Sequence, residues 1–454
     1  MLADSLGNPL SLQQAQSLGA ANDFVEGFIA CEARVANILQ IAETETSAWV
    51  QAAVAALHMF AESQDAAANA RPYLARAQAA LNAATPREQR FVAAVAAWVA
   101  GDIKRAVALH EAQAREFPRD LASLKLGQYH LFNAGDSPGM LRLALNGLED
   151  AADVPYMHGM AAFAWEQCHL LPQAETAARQ ALRLCQREPW AQHALAHVML
   201  TEGRLGEGLE FMESASPGWT GLNSFMLTHN WWHLALFALE LEQHERVLDL
   251  YDQQVWGVVK AYTQDQIGAV SLLARLELAG LDVGMRWQDV ADHLETRLAD
   301  QVLPFLDLHY LYGLARAGRN SCKLLMRNIE AHAAALATGP HPDQAQVWQT
   351  VCVPAGHGLL AHAAGDYVQA AKDLGRALPG MVAIGGSHAQ RDLFEQIHLD
   401  ALIRSGAHAA AQHLLQQRLN ASPASLRMRR QGRKVYEALG LGGAVAAAAL
   451  TPGT

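Results

Sequence analysis

The chain has 454 residues, too many for one compact core of ordinary size, so several domains or a repeat array is expected. Hydrophobic residues make up 51% and charged residues 17%, which excludes a disordered chain. The net charge of −11, from 34 basic and 45 acidic residues, argues against nucleic acid as a partner, because nucleic-acid binders usually carry a basic footprint.

The N-terminal MLADSLGNPL lacks a basic n-region and an apolar h-region, so no signal peptide is read there. No uncharged apolar run is long enough to span a bilayer, and no membrane association is expected. Alanine and leucine dominate while β-branched residues are sparse, which favours helix. Ser11-Leu12-Gln13-Gln14 has the form of a capping box, and residues 1–84 are expected to be an N-terminal helical region. Thr85-Pro86-Arg87-Glu88 is a second capping box, with proline at the first helical position.

Residues 85–256 carry a period. Turn-like positions fall at Gly101-Asp102, Gly135-Asp136, His169 and Gly203, each 34 residues after the last, which is the tetratricopeptide spacing. Each unit reads as an apolar helix, a short polar turn and a second helix, with Pro118 and Pro189 punctuating the ends of second helices. Small residues such as Ala106 and Ala174 sit where the helices of a hairpin would approach closely. One hairpin cannot bury its apolar face, so neighbours must stack. The expected fold is all-α, a tetratricopeptide-like α-solenoid of stacked helix hairpins. The period then loosens. Glu242–His244 restarts a second helix about five residues late, and longer helices follow with turns at Gly280 and Gly318. Hairpins return at Gly365-Asp366-Tyr367 and near Gly406, so residues 257–438 read as degenerate helical repeats and residues 439–454 as a low-complexity tail. The arginines between Leu415 and Tyr436 read as the solvated face of a terminal helix. Cys31, Cys168, Cys185, Cys322 and Cys352 are odd in number and none pairs at C-x-x-C spacing, which predicts free thiols in a reducing cytoplasm.

Two segments carry candidate chemistry. His193 and His197 are four residues apart, as are His229 and His233 about one repeat later. Residues at i and i+4 share a helical face, and successive first helices of such an array line its concave surface, so four imidazoles are expected to converge. Imidazole suits both proton transfer and ligation of zinc, iron or nickel. Glu166, one repeat earlier, and Asp265, one helix pair later, are the candidate carboxylates. Structural packing of the histidines is the plainer alternative, and H-E-x-x-H is absent. Asn230, Trp231 and Trp232 flank the second pair, with the tryptophans more often core anchors than ligand platforms. The second segment is Gly385-Gly386-Ser387-His388-Ala389-Gln390-Arg391-Asp392. It could hold an anion at a helix N-terminus through Arg391, although a capping box of Ser387 and Gln390 suffices to explain it. His309, beside Tyr310 and Tyr312, is a weaker candidate that reads as an interior histidine.

The strings HALAHV, HNWWHLALFALE, VLDLYD, GMRWQDV, LHYLYGLARAG and GGSHAQRDLFEQ, in order from about Gln89 to His398, resemble the tetratricopeptide repeat protein 38 family and its bacterial relatives. The resemblance implies a soluble tetratricopeptide-like fold and no established activity. It singles out His193, His197, His229, His233, Asp265, His309, Gln390, Arg391 and Asp392 as positions matching its motifs. The chain departs at Leu200, where relatives often carry an acid, and at Asn230, where they often carry leucine.

The functional expectation is a His-rich concave pocket that binds a small molecule, with histidine acid–base chemistry as the enzymatic version. A non-catalytic adaptor for a protein or peptide segment is the alternative, and a metal-dependent hydrolase using the paired histidines is the third. His193, His197, His229, His233 and Asp265 are the candidate catalytic groups. Glu166, Asn230, Trp231, His309, Ser387, His388, Arg391 and Asp392 are the candidate ligand contacts. No cofactor is expected, with a divalent metal on the four histidines as the exception. Self-association as a homodimer is left open.

Overall fold

A computed structural model describes residues 1–339 and 342–443, with 23 α-helices among them. The fold is an all-α solenoid of stacked helix hairpins. In the regular stretch the pairs are Pro86–Val99 with Ile103–Glu116, Leu121–Asn133 with Ser137–Leu148, Pro155–Gln167 with Leu171–Leu184, and Pro189–Thr201 with Leu205–Ala215.

The period has a backbone cause. Gly101, Gly135, His169 and Gly203 have φ of 79°, 72°, 56° and 70°. Each ends a first helix in the left-handed region, and the next residue's N–H bonds back five residues. Those bonds are Asp102 to Ala97 O and Asp136 to Leu131 O (2.9 Å each), Leu170 to Trp165 O (3.0 Å) and Arg204 to Met199 O (2.8 Å). Asp102 and Asp136 then cap the second helices, accepting from Arg105 N at 3.1 Å and Gly139 N at 2.8 Å. The period slips where the short helix His244–Leu250 runs into a π-turn at Tyr251–Val255. A second π-turn, Trp348–Cys352, interrupts the later repeats.

The superhelix wraps until distant turns meet. Glu62 is buried and accepts from Tyr129 Oη (2.8 Å), Thr263 Oγ1 (2.9 Å) and Gln264 Nε2 (2.6 Å). Asn223 N donates to Cys31 O at 2.7 Å, Gln64 N to Asp300 Oδ1 at 3.0 Å, and Gln344 Nε2 to Gly101 O at 2.9 Å. Lys125 is buried as well. Its Nζ donates to Phe28 O at 2.7 Å and Ile29 O at 2.9 Å, the last carbonyls of the helix Leu18–Ala30, where a cation is favoured. These contacts join the N-terminal region and the first regular repeat to the middle and later repeats across the groove.

Four expectations need correction. Ser11 caps no helix: its N and Oγ donate to Glu88 Oε1 at 2.9 Å and Oε2 at 2.7 Å, and the first α-helix begins at Leu18. Leu2–Ala3 and Pro9–Leu10 form a two-stranded antiparallel ribbon in what was read as helical. The terminal arginines are not one solvated face. Arg427 is buried against Glu240, with its Nη2 2.5 Å from Oε1, and Arg418 Nη1 lies 2.5 Å from Asp392 Oδ1. Pro189 opens a first helix rather than closing a second one. Of the low-complexity tail, residues 444–454 lie outside the described residues.

Candidate functional site

Two neighbouring first helices carry the histidines. Pro189–Thr201 is capped by the carboxylate of Glu188, which accepts from Trp190 N at 3.1 Å and from Ala191 N. Burial pushes that carboxyl up to about 8, against the two backbone donors. Ser224–Glu240 is capped by Asn223, whose Oδ1 accepts from Met226 N at 2.9 Å.

The four rings meet through one atom type. His197 Nε2 lies 3.2 Å from His193 Nε2, His193 Nε2 lies 3.1 Å from His229 Nε2, and His229 Nε2 lies 3.3 Å from His233 Nε2. Each ring is buried. Phe225 stacks on His229 at 5.3 Å and 22°, and Trp232 stacks on it at 5.3 Å and 10°. Burial pushes all four imidazoles below their ordinary value, His229 to about 3. At His197 the Glu166 carboxylate opposes that shift. His193 Nδ1 and His233 Nδ1 have no partner among the described residues.

Glu166 joins the cluster to the second segment. It is fully buried, with Oε2 3.4 Å from His197 Nδ1. Oε1 accepts from His388 Nε2, and Gln167 Nε2 donates to Oε2 at 2.6 Å. Burial alone would raise its carboxyl, but His197 and His388 beside it outweigh burial and hold Glu166 well below its ordinary value. His388 Nε2 also stands 3.5 Å from His197 Nδ1.

Two cavities adjoin these groups, the first lined by His193 and His229 and the second by His388. The first, about 390 Å³, is walled by residues from Phe28 to Gln390 and is mostly aromatic and aliphatic, with His193, His229, Lys125 and Glu62 among its polar groups. The second, about 490 Å³, reaches His388, Arg275, Arg391 and Arg418 together with Asp392, Glu395 and Glu240.

The remaining sequence candidates divide. Ser387 and Gln390 do form a capping box, Ser387 N donating to Gln390 Oε1 at 2.9 Å and Gln390 N to Ser387 Oγ at 3.2 Å, and both line the first cavity. Arg391 turns back to Gly385 O and Gly386 O and lines the second. Asp392 is bound by Arg418 and lies 3.8 Å from Arg275, and these cations hold it well below the usual carboxylate range despite its burial. Asp265 lies apart from the groups gathered around the imidazoles. Its carboxylate takes Thr228 Oγ1 at 3.2 Å, Val259 N at 3.1 Å and Ser224 Oγ, fixing the loop before its helix. His309 donates from Nδ1 to Phe305 O at 2.7 Å and packs on Phe305 and Phe394. Trp231 packs edge-on to Trp219 at 4.8 Å. Asn230 is buried with neither amide atom partnered among the described residues. Lys125 was missed, although it falls two 34-residue periods before His193, the signal that would have found it.

Gly385 and Gly386 let the segment turn onto the first cavity. They have φ of 85° and 77°, and a Cβ on Gly386 would come within 2.6 Å of the Phe305 ring. Gly386→Ala should cost roughly 2 kcal/mol of stability from the left-handed backbone and the ring contact together. Urea midpoints check this, and an unchanged midpoint contradicts it.

No family model matches the chain. Among solved structures, the chain is similar to a human IFIT1 dimer with PPP-AAAA at 14% identity, covering 93% of this chain and 92% of that one, with a TM-score of 0.43. A human IFIT1 dimer with m7Gppp-AAAA gives 13%, 94%, 93% and 0.42 in the same order. Naa15/Naa10 bound to HypK-THB gives 12%, 94%, 67% and 0.26. The exclusion of nucleic acid is withdrawn, since it rested on net charge alone; PPP-AAAA is a ligand of IFIT1, not one shown for this chain. Net charge is a sum over the whole chain and says nothing about local groups such as the arginines of the second cavity. No helix among the described residues is long and apolar enough to cross a membrane.

Proposed function

We propose that this protein holds a small molecule with a flat, apolar body inside the first cavity, its polar end against His193 and His229. The observation that carries this is the wall itself. Residues from Phe28 to Gln390 converge on about 390 Å³, within the range of small-molecule sites, and its few polar groups include these histidines. Acid–base chemistry is the finer form of the proposal, because a neutral imidazole nitrogen facing the cavity can accept a proton. A peptide-binding adaptor is the weaker reading, since side chains as far apart in sequence as Phe28, Phe60, Phe305 and Gln390 wall the same cavity. Kinship with the tetratricopeptide repeat protein 38 family belongs to this proposal and rests on the ordered strings in the sequence. So does a cytoplasmic location, which the five unpaired cysteines support.

The test is native mass spectrometry of the untagged full chain, followed by solvent extraction. A stoichiometric small-molecule adduct is expected. Met160→Trp, which fills the cavity from one wall, should lose most of that adduct while keeping its helical circular dichroism. A Met160→Trp protein that carries the same adduct in the same amount refutes the site.

A further inference from the structure

We infer that the four imidazoles form a binding centre for a borderline first-row divalent ion such as zinc or cobalt, ligated through Nε2 of His193, His197, His229 and His233. The reason is valence. A neutral imidazole nitrogen offers either one N–H or one lone pair in the ring plane, and so makes one good hydrogen bond. The Nε2 atoms run His197–His193–His229–His233, with three contacts of 3.2, 3.1 and 3.3 Å. Both inner nitrogens have two such neighbours. At most two of the three contacts can be hydrogen bonds, and if the outer two are made, the shortest one is left unmade. In a buried site that leaves polar nitrogens pressed together without compensation.

One ion resolves the conflict, because it takes four lone pairs at once. Zinc–nitrogen bonds of 2.0–2.1 Å in a tetrahedron place neighbouring nitrogens about 3.3–3.4 Å apart. The observed spacings of 3.1 to 3.3 Å are close to that edge. All four ligand atoms lie within 4.8 Å of one another, on buried residues. The donor set selects the class of ion. Four nitrogens without a carboxylate oxygen suit zinc, cobalt, nickel or copper and do not suit magnesium or calcium.

Glu166 fits the same centre as an orienting group rather than a ligand. Its Oε2 faces His197 Nδ1 at 3.4 Å, the carboxylate–histidine arrangement that keeps the proton on Nδ1 and the lone pair on Nε2. The inference does not depend on the cavity ligand. A metal and a proton compete for the same nitrogens, so the acid–base chemistry proposed above belongs to the metal-free protein.

The test uses untagged full-length protein, stripped with a chelator and titrated with Zn(II) and, separately, Co(II). One ion per chain should survive gel filtration. The cobalt form should show the intense visible d–d absorption of a four-coordinate nitrogen site, and both ions should raise the melting temperature of the stripped protein. The His193→Ala/His229→Ala protein should lose the cobalt band, while His309→Gln keeps it. Absence of retained metal and of a cobalt band in the wild-type chain overturns the inference whatever the variants do. A cobalt band that persists in a folded double variant overturns it too. If the double variant does not fold, the wild-type titration decides alone. The adduct test with Met160→Trp reads a different quantity, so failure of either idea is separately visible.

Discussion

Lowering the pH from 7 to 5 should remove about 4 kcal/mol of stability through His110 and His309 alone. Both are fully buried, and burial pushes them from the usual 6.5 down to about 3 and about 4. Folded-state values below the unfolded one mean that the unfolded chain binds more protons over this interval. The stability these neutral rings contribute is complete above pH 6.5 and drains away as pH falls towards 3–4, at about 1.4 kcal/mol per unit for each. His110 Nδ1 is 2.8 Å from Ser123 Oγ and its Nε2 has no partner among the described residues, so nothing nearby welcomes the added charge. At His309 the Phe305 carbonyl favours the charged form, but burial wins. Urea unfolding at pH 7, 6 and 5 measures the loss. His309→Leu should be less stable at pH 7 yet lose about 2 kcal/mol less on acidification. A stability that stays flat over this interval contradicts the argument.

What the sequence disclosed and what it hid follow a single line. The hairpin period was legible because each turn demands a left-handed residue, and glycine supplies it at Gly101, Gly135 and Gly203. The paired histidines were legible because i, i+4 spacing fixes a shared helical face, and a known repeat stacks one first helix beside the next. Everything decided by the closing of the superhelix was hidden. Glu166 and His388 are 222 residues apart, and only the return of the later repeats brings them together. The same closure made Ser11 misleading. Its local pattern is a cap, but Glu88, 77 residues away, takes both of its donors. Asp265 was misassigned for the converse reason. It was a candidate only as a carboxylate one helix pair later, which spacing alone did not tie to the histidines, and Ser224, Thr228 and Val259 take its oxygens.

Arg87→Met should destabilise the chain by about 3–5 kcal/mol, the cost of stranding one member of a buried ion pair. Arg87 Nη1 is 2.8 Å from Asp120 Oδ2, with both side chains at most 3% exposed. Asp120 also accepts from Gln113 Nε2 at 2.8 Å and caps the helix Leu121–Asn133 through Ser123 N at 3.2 Å, so the carboxylate cannot move away to find water. Asp120→Leu should cost a similar amount, with the lost cap adding about 1 kcal/mol. The double variant should cost clearly less than the sum, because neither charge is then left alone. A double-mutant cycle from urea midpoints gives the coupling directly, and additive losses would show that the pair is not a unit. The pair also bears on the cavity. Arg87 Nη2 donates to Pro9 O at 3.0 Å, tying the N-terminal ribbon to the first regular repeat. Residues 28–60 of that same N-terminal region supply part of the cavity wall. Loosening this seam should therefore weaken retention of the cavity ligand before the later repeats unfold.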